Sequence, residues 1–328
     1  MNHEQVTTVS APANILLLGE YAVLEEGGLG LAVALDVRAR GEHRSAAPGP
    51  VEGSSEAGGA TGTAALGVRG RIPGGEVVWP GDTGVLGRVT ESLRDRFGPI
   101  SGDITVDTCE FFHEDGRKRG YGSSAALTAT LVALWLAAVR GDNRLDVRDI
   151  VQPAVDAHRA AQNGRGSGYD VATSVLGGIV LFTGGSTPRA ERVELPWKAD
   201  LALFPGRRDV NTRDAVARYE TWKRDDPSGA SAYLARSNDL VRRFVVSRSW
   251  GDAAEVVRRY RSLAMQLGDS IGIPAGIDAP GELAHRDGVV WKAVGAGDEL
   301  GVAIADRSIA PGEGFARLTV AERGISWE

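Results

Sequence analysis

At 328 residues, with 42% hydrophobic and 24% charged side chains, the chain has an ordinary globular composition and room for one large domain or two smaller ones. Its formal net charge of −6 argues against a nucleic-acid binder built on a broad basic face. The one cysteine, Cys109, excludes an internal disulfide and reads as a small core residue in a reducing compartment, and five scattered histidines offer no metal cluster.

In chain order, residues 7–10 alternate as a strand does, Ala11-Pro12-Ala13-Asn14 interrupts them, and residues 15–18 form a short apolar run stopped by Gly19-Glu20-Tyr21. The N-terminus lacks the basic-then-apolar pattern of a secretory signal, and no apolar run approaches membrane-spanning length. The cytoplasm is the expected compartment, with no membrane or nucleic-acid partner. Residues 31–40 are a further predicted strand. Residues 41–75, rich in Gly, Ala, Ser and Pro, are predicted as a long, poorly ordered excursion. Val85, Val89, Leu93 and Phe97 fall four apart and predict a helix with one apolar face. Residues 104–108 read as a strand, with Phe111-Phe112 as its continuation.

Residues 118–138 form the most informative stretch. Gly120 and Gly122 flank Tyr121, Ser123 and Ser124 follow, and a run of helix formers continues past Trp135. A glycine loop feeding a helix N-terminus presents unpaired N–H groups and the positive end of the helix dipole, which suits a phosphate. A glycine turn before a buried helix has the same appearance, and the Gly-Lys-Ser/Thr ending of a P-loop is absent.

Val147, Ile150, Val151, Ala154 and Val155 mark an amphipathic helix that ends near Gln162-Asn163-Gly164. A second glycine loop, GRGSG at 164–168, precedes a predicted helix opening at Tyr169-Asp170, which puts Asp170 where an aspartate is commonly a cap. Residues 179–182 and 201–204 predict short buried strands, and helical patterns follow over about 210–223, 231–247 and 251–267. Lys292 leads into a third glycine turn at 295–297, followed by Asp298 and Glu299, and residues 301–305 and 318–321 are terminal strands. This order predicts an α+β fold of two halves, 1–197 and 198–328, facing a shared cleft.

Three glycine turns with these flanks resemble those of the GHMP family of small-molecule kinases. The first family motif is matched by Ala11-Pro12-Ala13-Asn14-Ile15 through Gly19-Glu20-Tyr21, the second by GYGSSAAL at 120–127, and the third in part by residues 292–297. Within the family the chain is most similar to phosphomevalonate kinases. The similarity lies in DGRKRGYGSSAAL at 115–127, in AHRAAQNGRGSGYDVATSVLGG at 157–178 with its histidine, and in FPGRRDVNTRDAV at 204–216.

The resemblance implies a two-domain α+β, GHMP-kinase-like fold with the active site in the interdomain cleft, in a monomer or homodimer. It implies ATP and Mg2+ as cofactors, and phosphoryl transfer to a small acceptor such as phosphomevalonate. It implies that Lys118, Gly120, Gly122, Ser123, Ser124 and Ala125 embrace the ATP phosphates, with a hydroxyl of Ser123 or Ser124 on magnesium. Asp170 and Asn14 fall at catalytic positions, Asp170 facing the acceptor. Glu20, Tyr21, Ser167, Gly168, Arg207, Thr212, Gly295, Ala296 and Gly297 fall at substrate positions.

Elementary chemistry agrees with these assignments. Phosphoryl transfer asks a protein for positioning, charge neutralisation and a group near the nucleophile's proton, and a carboxylate at 170 can take that proton or orient it. Arg207, Arg208 and Arg213 suit an acidic substrate, although arginines on a solvated helix look the same. Asn14 stands where the family usually carries lysine, and an amide cannot neutralise charge. Asp298 and Glu299 replace further glycines and would repel phosphates unless a metal intervenes. Lys118 and Lys292 are candidates for the missing positive charge. Tyr121, where leucine is common, is a mild change. Three readings stay open: a phosphomevalonate kinase, a kinase of mevalonate or another small alcohol or sugar, and a non-catalytic nucleotide- or metabolite-binding relative.

Overall fold

A computed structural model describes residues 5–45, 66–142, 144–207, 210–310 and 312–328. The chain opens with strands β1 (Val6–Leu18), β2 (Leu29–Arg44), β3 (Gly67–Ile72) and β4 (Gly75–Trp79), then helix α1 (Val85–Phe97) and β5 (Asp103–Asp107). Helices α2 (Ser123–Arg140), α3 (Val147–Ala161) and α4 (Tyr169–Leu176) follow, then β6 (Ile179–Thr183), β7 (Arg189–Val193) and β8 (Asp200–Pro205). The remainder is α5 (Thr212–Asp225), α6 (Pro227–Val246), α7 (Trp250–Ile271), β9 (Val290–Val294), β10 (Leu300–Ala305), β11 (Ala316–Leu318) and β12 (Ser326–Trp327). The fold is the expected mixture of helices and sheets.

Two compact units emerge, and they interleave along the chain where a boundary at 197/198 was expected. The first is Met1–Ala13, Val37–Leu176 and Arg323–Glu328, and the second is Asn14–Asp36 and Gly177–Glu322. Strands β1 and β2 contribute to both, because each is long enough to pair with different partners at its two ends.

In the first unit, residues 40–44 of β2 pair antiparallel with β5, β5 pairs parallel with β3, and β3 pairs antiparallel with β4. Helices α1 to α4 pack on one another, α1 against β3 and β4 and α2 against β5. Helix α2 is apolar on all sides and carries Leu131, Val132, Leu134 and Trp135 into the core at 0% exposure. By length and composition it is sufficient to cross a membrane, against the expectation that no run approaches that length, yet 72% of it is buried inside the protein. Its apolarity serves packing among helices. Gly41 lets α2 approach β2, since a Cβ there would meet Thr130 Cγ2 at 2.5 Å and Leu134 Cδ1 at 2.8 Å.

In the second unit, residues 29–33 of β2 pair antiparallel with β6, and β6 with β7. A separate antiparallel sheet has the order β11-β8-β10-β9, and α7 packs on β9. Phe204, Ile277, Leu283, Ala303 and Ile309 form part of its core.

Several local expectations need correction. Residues 11–14 do not break β1, because the fixed φ of Pro12 suits extended backbone. Residues 41–44 belong to β2, and residues 67–72 and 75 lie in a β3–β4 hairpin turning at Pro73-Gly74, where Gly74 has φ +81°. Residues 46–65 of the anticipated excursion lie outside the described residues. Phe111-Phe112 does not continue β5. The Asp107 carboxylate accepts the Cys109 N–H at 2.8 Å, and a 3-10 turn over Cys109–Phe111 follows. Cys109 is half-buried and not a core residue. The final strands are Ala316–Leu318 and Ser326–Trp327, so residues 319–321 lie beyond the first of them.

Candidate active site

In the first unit the glycine loop is anchored from both sides. Residues 113–117 form a tight turn in which the His113 N–H donates to the Arg117 carbonyl at 2.8 Å. The Arg119 N–H then donates to the Phe111 carbonyl, and its guanidinium to the Phe112 carbonyl, each at 2.9 Å. Tyr121 is buried, while Gly120 and Lys118 are exposed. Gly120 and Gly122 have φ of +77° and +75°, a region that disfavours side-chain-bearing residues. Gly122 is the N-cap of α2 in the left-handed conformation, and no side chain among the described residues caps the helix start by a hydrogen bond. The Ala125 and Ala126 amides donate to its carbonyl, which leaves the Ser123 and Ser124 amides without a partner within the helix. The two hydroxyls beside them are half-buried, and no acidic residue stands in the first turn. This end of α2 fits an anion, and a serine hydroxyl there fits a hard cation as one ligand among phosphate and water oxygens.

Asp170 lies in the first turn of α4, which packs directly on α2 and α3. Its side chain keeps 24% exposure, and Oδ1 accepts the Val171 N–H at 2.9 Å. Buried His158 of α3 brings Nδ1 to 3.7 Å from Asp170 Oδ1, and its Nε2 lies 3.2 Å from the Gln162 amide nitrogen. The loop before Asp170 is clamped by Arg159, whose guanidinium donates to the carbonyls of Ser167 at 2.7 Å and Gly166 at 3.2 Å. Gly168, at φ +88°, lies against Val155 of α3. Ser167 and Gly168 are thereby fixed to the helix that carries His158.

The second unit holds the other candidate residues. Asn14 is buried in β1. Glu20 is buried as well, and its Oε1 accepts from the Lys292 ammonium. Burial pushes the Glu20 carboxyl upward in pKa against the attraction of Lys292, and burial pushes Lys292 downward against the attraction of Glu20. Glu20 is therefore enclosed and not presented to a substrate. Lys292, at 0% exposure, cannot serve as the missing positive charge. Tyr21 has φ +60°, stacks on Tyr219 with centroids 5.1 Å apart, and donates its hydroxyl proton to the Ala296 carbonyl. That contact joins the 19–21 turn to the 295–297 turn.

Asn211 caps α5, accepting the Arg213 N–H at 2.9 Å, so Thr212 is exposed at the first helical position. Arg207 is exposed and paired with Asp278 at 2.6 Å, and Arg208 lies outside the described residues. Asp298 is buried, whereas Glu299 is exposed.

Sequence reasoning overlooked Arg159, Gln162 and the Glu20–Lys292 pair. Gln162, the C-cap of α3, follows His158 by four positions, a spacing of one helical turn that brings the two side chains together. A lone lysine in the otherwise apolar run VWKAV signals a paired buried charge.

Residues 86–178, which include the glycine loop, His158 and Asp170, match the family model described as the GHMP kinases N terminal domain. The chain is 26% identical to the phosphomevalonate kinase of Streptomyces sp. (strain CL190), over 90% of this chain and 89% of that one. It is 29% identical to the mevalonate kinase of Aeropyrum pernix, over 80% of this chain and 76% of that one. Among solved structures, the fold is similar to that of Streptococcus pneumoniae phosphomevalonate kinase in complex with phosphomevalonate and AMPPNP. The TM-score is 0.66 at 15% identity, and 92% of each chain is covered.

Proposed function

We propose, for a chain that carries a GHMP kinase N-terminal domain within a GHMP-kinase-like fold, an ATP-dependent small-molecule kinase that converts phosphomevalonate to diphosphomevalonate. One observation carries the reading: the glycine-fed N-terminus of α2, which has no side-chain cap, and the carboxylate at the start of α4 stand on directly packed helices of one unit. The loop amides and the dipole of α2 hold the nucleotide phosphates. A Ser123 or Ser124 hydroxyl supplies one magnesium ligand, and the ion, when bound, neutralises charge on the phosphates. Asp170 accepts a hydrogen bond from the protonated oxygen of the acceptor's phosphate and so orients it, while a deprotonated oxygen of that same phosphate bonds to the γ-phosphorus. The bond from that phosphorus to the bridging oxygen breaks, and ADP leaves. Arg207 and Thr212 suit an acidic acceptor, since a guanidinium and a hydroxyl both donate to phosphate or carboxylate oxygens.

A second reading rests on the charge inventory. Asn14 supplies no cation, and Lys292 is committed to Glu20. A nucleotide- or metabolite-binding protein without catalysis follows if nothing else neutralises the transferring group. The experiment is ADP release from purified protein with ATP and magnesium, across phosphomevalonate, mevalonate and a panel of sugar alcohols. Turnover with phosphomevalonate upholds the proposal. Turnover with another acceptor reassigns the substrate, and nucleotide binding without turnover selects the second reading.

A further inference from the structure

Three clusters of charged or titratable side chains stand out. The open sheet face around Arg38, Arg40, Arg44, Arg69 and Arg71 encloses about 660 Å³, but Arg40, Arg44, Arg69 and Arg71 are matched by neighbouring carboxylates. The His158–Asp170 contact belongs to the site already described. The third feature, the surroundings of Glu20, carries more.

Glu20 and Lys292 come from the first and last parts of the chain and meet in the interior of the second unit, side chains 7% and 0% exposed. The ammonium donates to Glu20 Oε1 and to the Ala293 carbonyl, and sits 5.4 Å from the Tyr260 ring centroid. Among the described residues, none meets hydrogen-bond geometry with Glu20 Oε2. A buried carboxylate oxygen without a donor is costly, so such a group calls for a partner. Beside Glu20 lies a pocket of about 20 Å³, partly open to solvent, whose wall combines Glu20, Tyr21, Tyr233 and the 295–297 turn with the apolar Leu267, Ile271 and Ile273. That is room for about one water molecule.

The wall chemistry selects the occupant. Tyr21 donates its proton to the Ala296 carbonyl, and Tyr233 donates its own to the Glu20 carbonyl. Both hydroxyls therefore have only lone pairs left to offer, as does Oε2. The occupant must donate. A cation would add charge to a pair that Lys292 already neutralises, whereas water donates twice at no cost in charge.

We propose that Glu20 and Lys292 are positioning residues: a buried ion pair, completed by one bound water on Glu20 Oε2, that holds the 295–297 turn against the 19–21 turn. The inference rests on the proposed function only for the use to which the turn is put, namely shaping the acceptor side. The residues reach the turn by two routes. Lys292 and Ala293 belong to the strand that feeds it, and Tyr21, next to Glu20, holds its Ala296 carbonyl.

The test combines a high-resolution crystal structure with amide hydrogen exchange. In the wild type, one peak at hydrogen-bonding distance from Glu20 Oε2, with the contact distances of water, supports the proposal. An empty cavity, or an ion with the short contacts of a metal, overturns it. The variants are Glu20→Gln and the double replacement Glu20→Met with Lys292→Met, in which no unpaired charge remains. Exchange at residues 295–297 is expected to accelerate on the order of ten-fold or more relative to amides of β8 and β10. Uniform acceleration across the unit, or none, overturns the proposal. If the double variant does not fold, Glu20→Gln gives the same comparison. With an active enzyme, the variants should raise the acceptor's KM more than they lower kcat, and the reverse pattern counts against a positioning role. Crystallography and exchange need no turnover, so a wild type inactive on every acceptor refutes the proposed function and leaves this test intact.

Discussion

Replacing Gly168 by alanine tests how the loop before Asp170 is built. Gly168 has φ +88°, and a Cβ there would lie 2.7 Å from Val155 Cγ1 and 3.2 Å from Cγ2. Two costs add. An alanine in the left-handed region costs about 1–2 kcal/mol. Val155 is 1% exposed and stiff at χ1, so it cannot swing aside, and overpacking of this kind costs about 1–3 kcal/mol more. The expected destabilisation is therefore about 2–5 kcal/mol. Gly164→Ala is the internal control, because Gly164 also has positive φ, at +75°, but a Cβ there meets nothing within 4 Å. It should lose only the backbone part, about 1–2 kcal/mol. Both variants gain the same small amount from a stiffer unfolded chain, so that effect cancels in the comparison. Urea unfolding of the wild type and both variants measures the difference. Equal losses at 164 and 168 would refute the claim that α3 and the loop are in hard contact. The same contact positions Asp170 two residues on, so Gly168→Ala should also lower turnover more than Gly164→Ala at matched folded fraction.

Gly122→Val puts a β-branched residue at φ +75° on the start of α2, and nucleotide affinity by calorimetric titration should fall below detection while the protein stays folded. Asp170→Asn should cut turnover by roughly 10² or more with ATP affinity little changed, and an equally active variant would remove Asp170 from the chemistry. Asn14→Lys should leave an active enzyme level or weaker. Rescue of an inactive wild type, provided Asp170 is intact, would favour a protein that lost catalysis with its lysine. Asp146 caps α3, and hydrogen bonds from the Arg148 side chain and backbone hold its carboxyl down at about 2. Its folded pKa lies below the unfolded value, so its stabilisation is complete above about pH 4 and is lost as pH falls through about 2. Asp146→Asn keeps a capping oxygen and loses the charge, so the gap in Tm from the wild type should be present at neutral pH and close near pH 2.

Much of this protein was legible in the residues alone, because the signals were local. The apolar spacing of Val85, Val89, Leu93 and Phe97, the run after Ser123 and the loop before Tyr169 each lie within one element, and α1, α2 and α4 form there. Gly120 and Gly122 announced a tight turn into a helix, and the structure places both in the left-handed region that few other residues accept. What the sequence could not decide were pairings between distant segments. Residues 41–44 and the β3–β4 hairpin look like loop until β5 supplies their hydrogen bonds. The division into units escaped a linear reading because β1 and β2 each serve both. Glu20 and Lys292 each look like an available charge, and 272 positions separate them in the chain. Only the folded second unit, by taking both out of bulk solvent, turns two surface-type residues into a buried pair that no phosphate can claim.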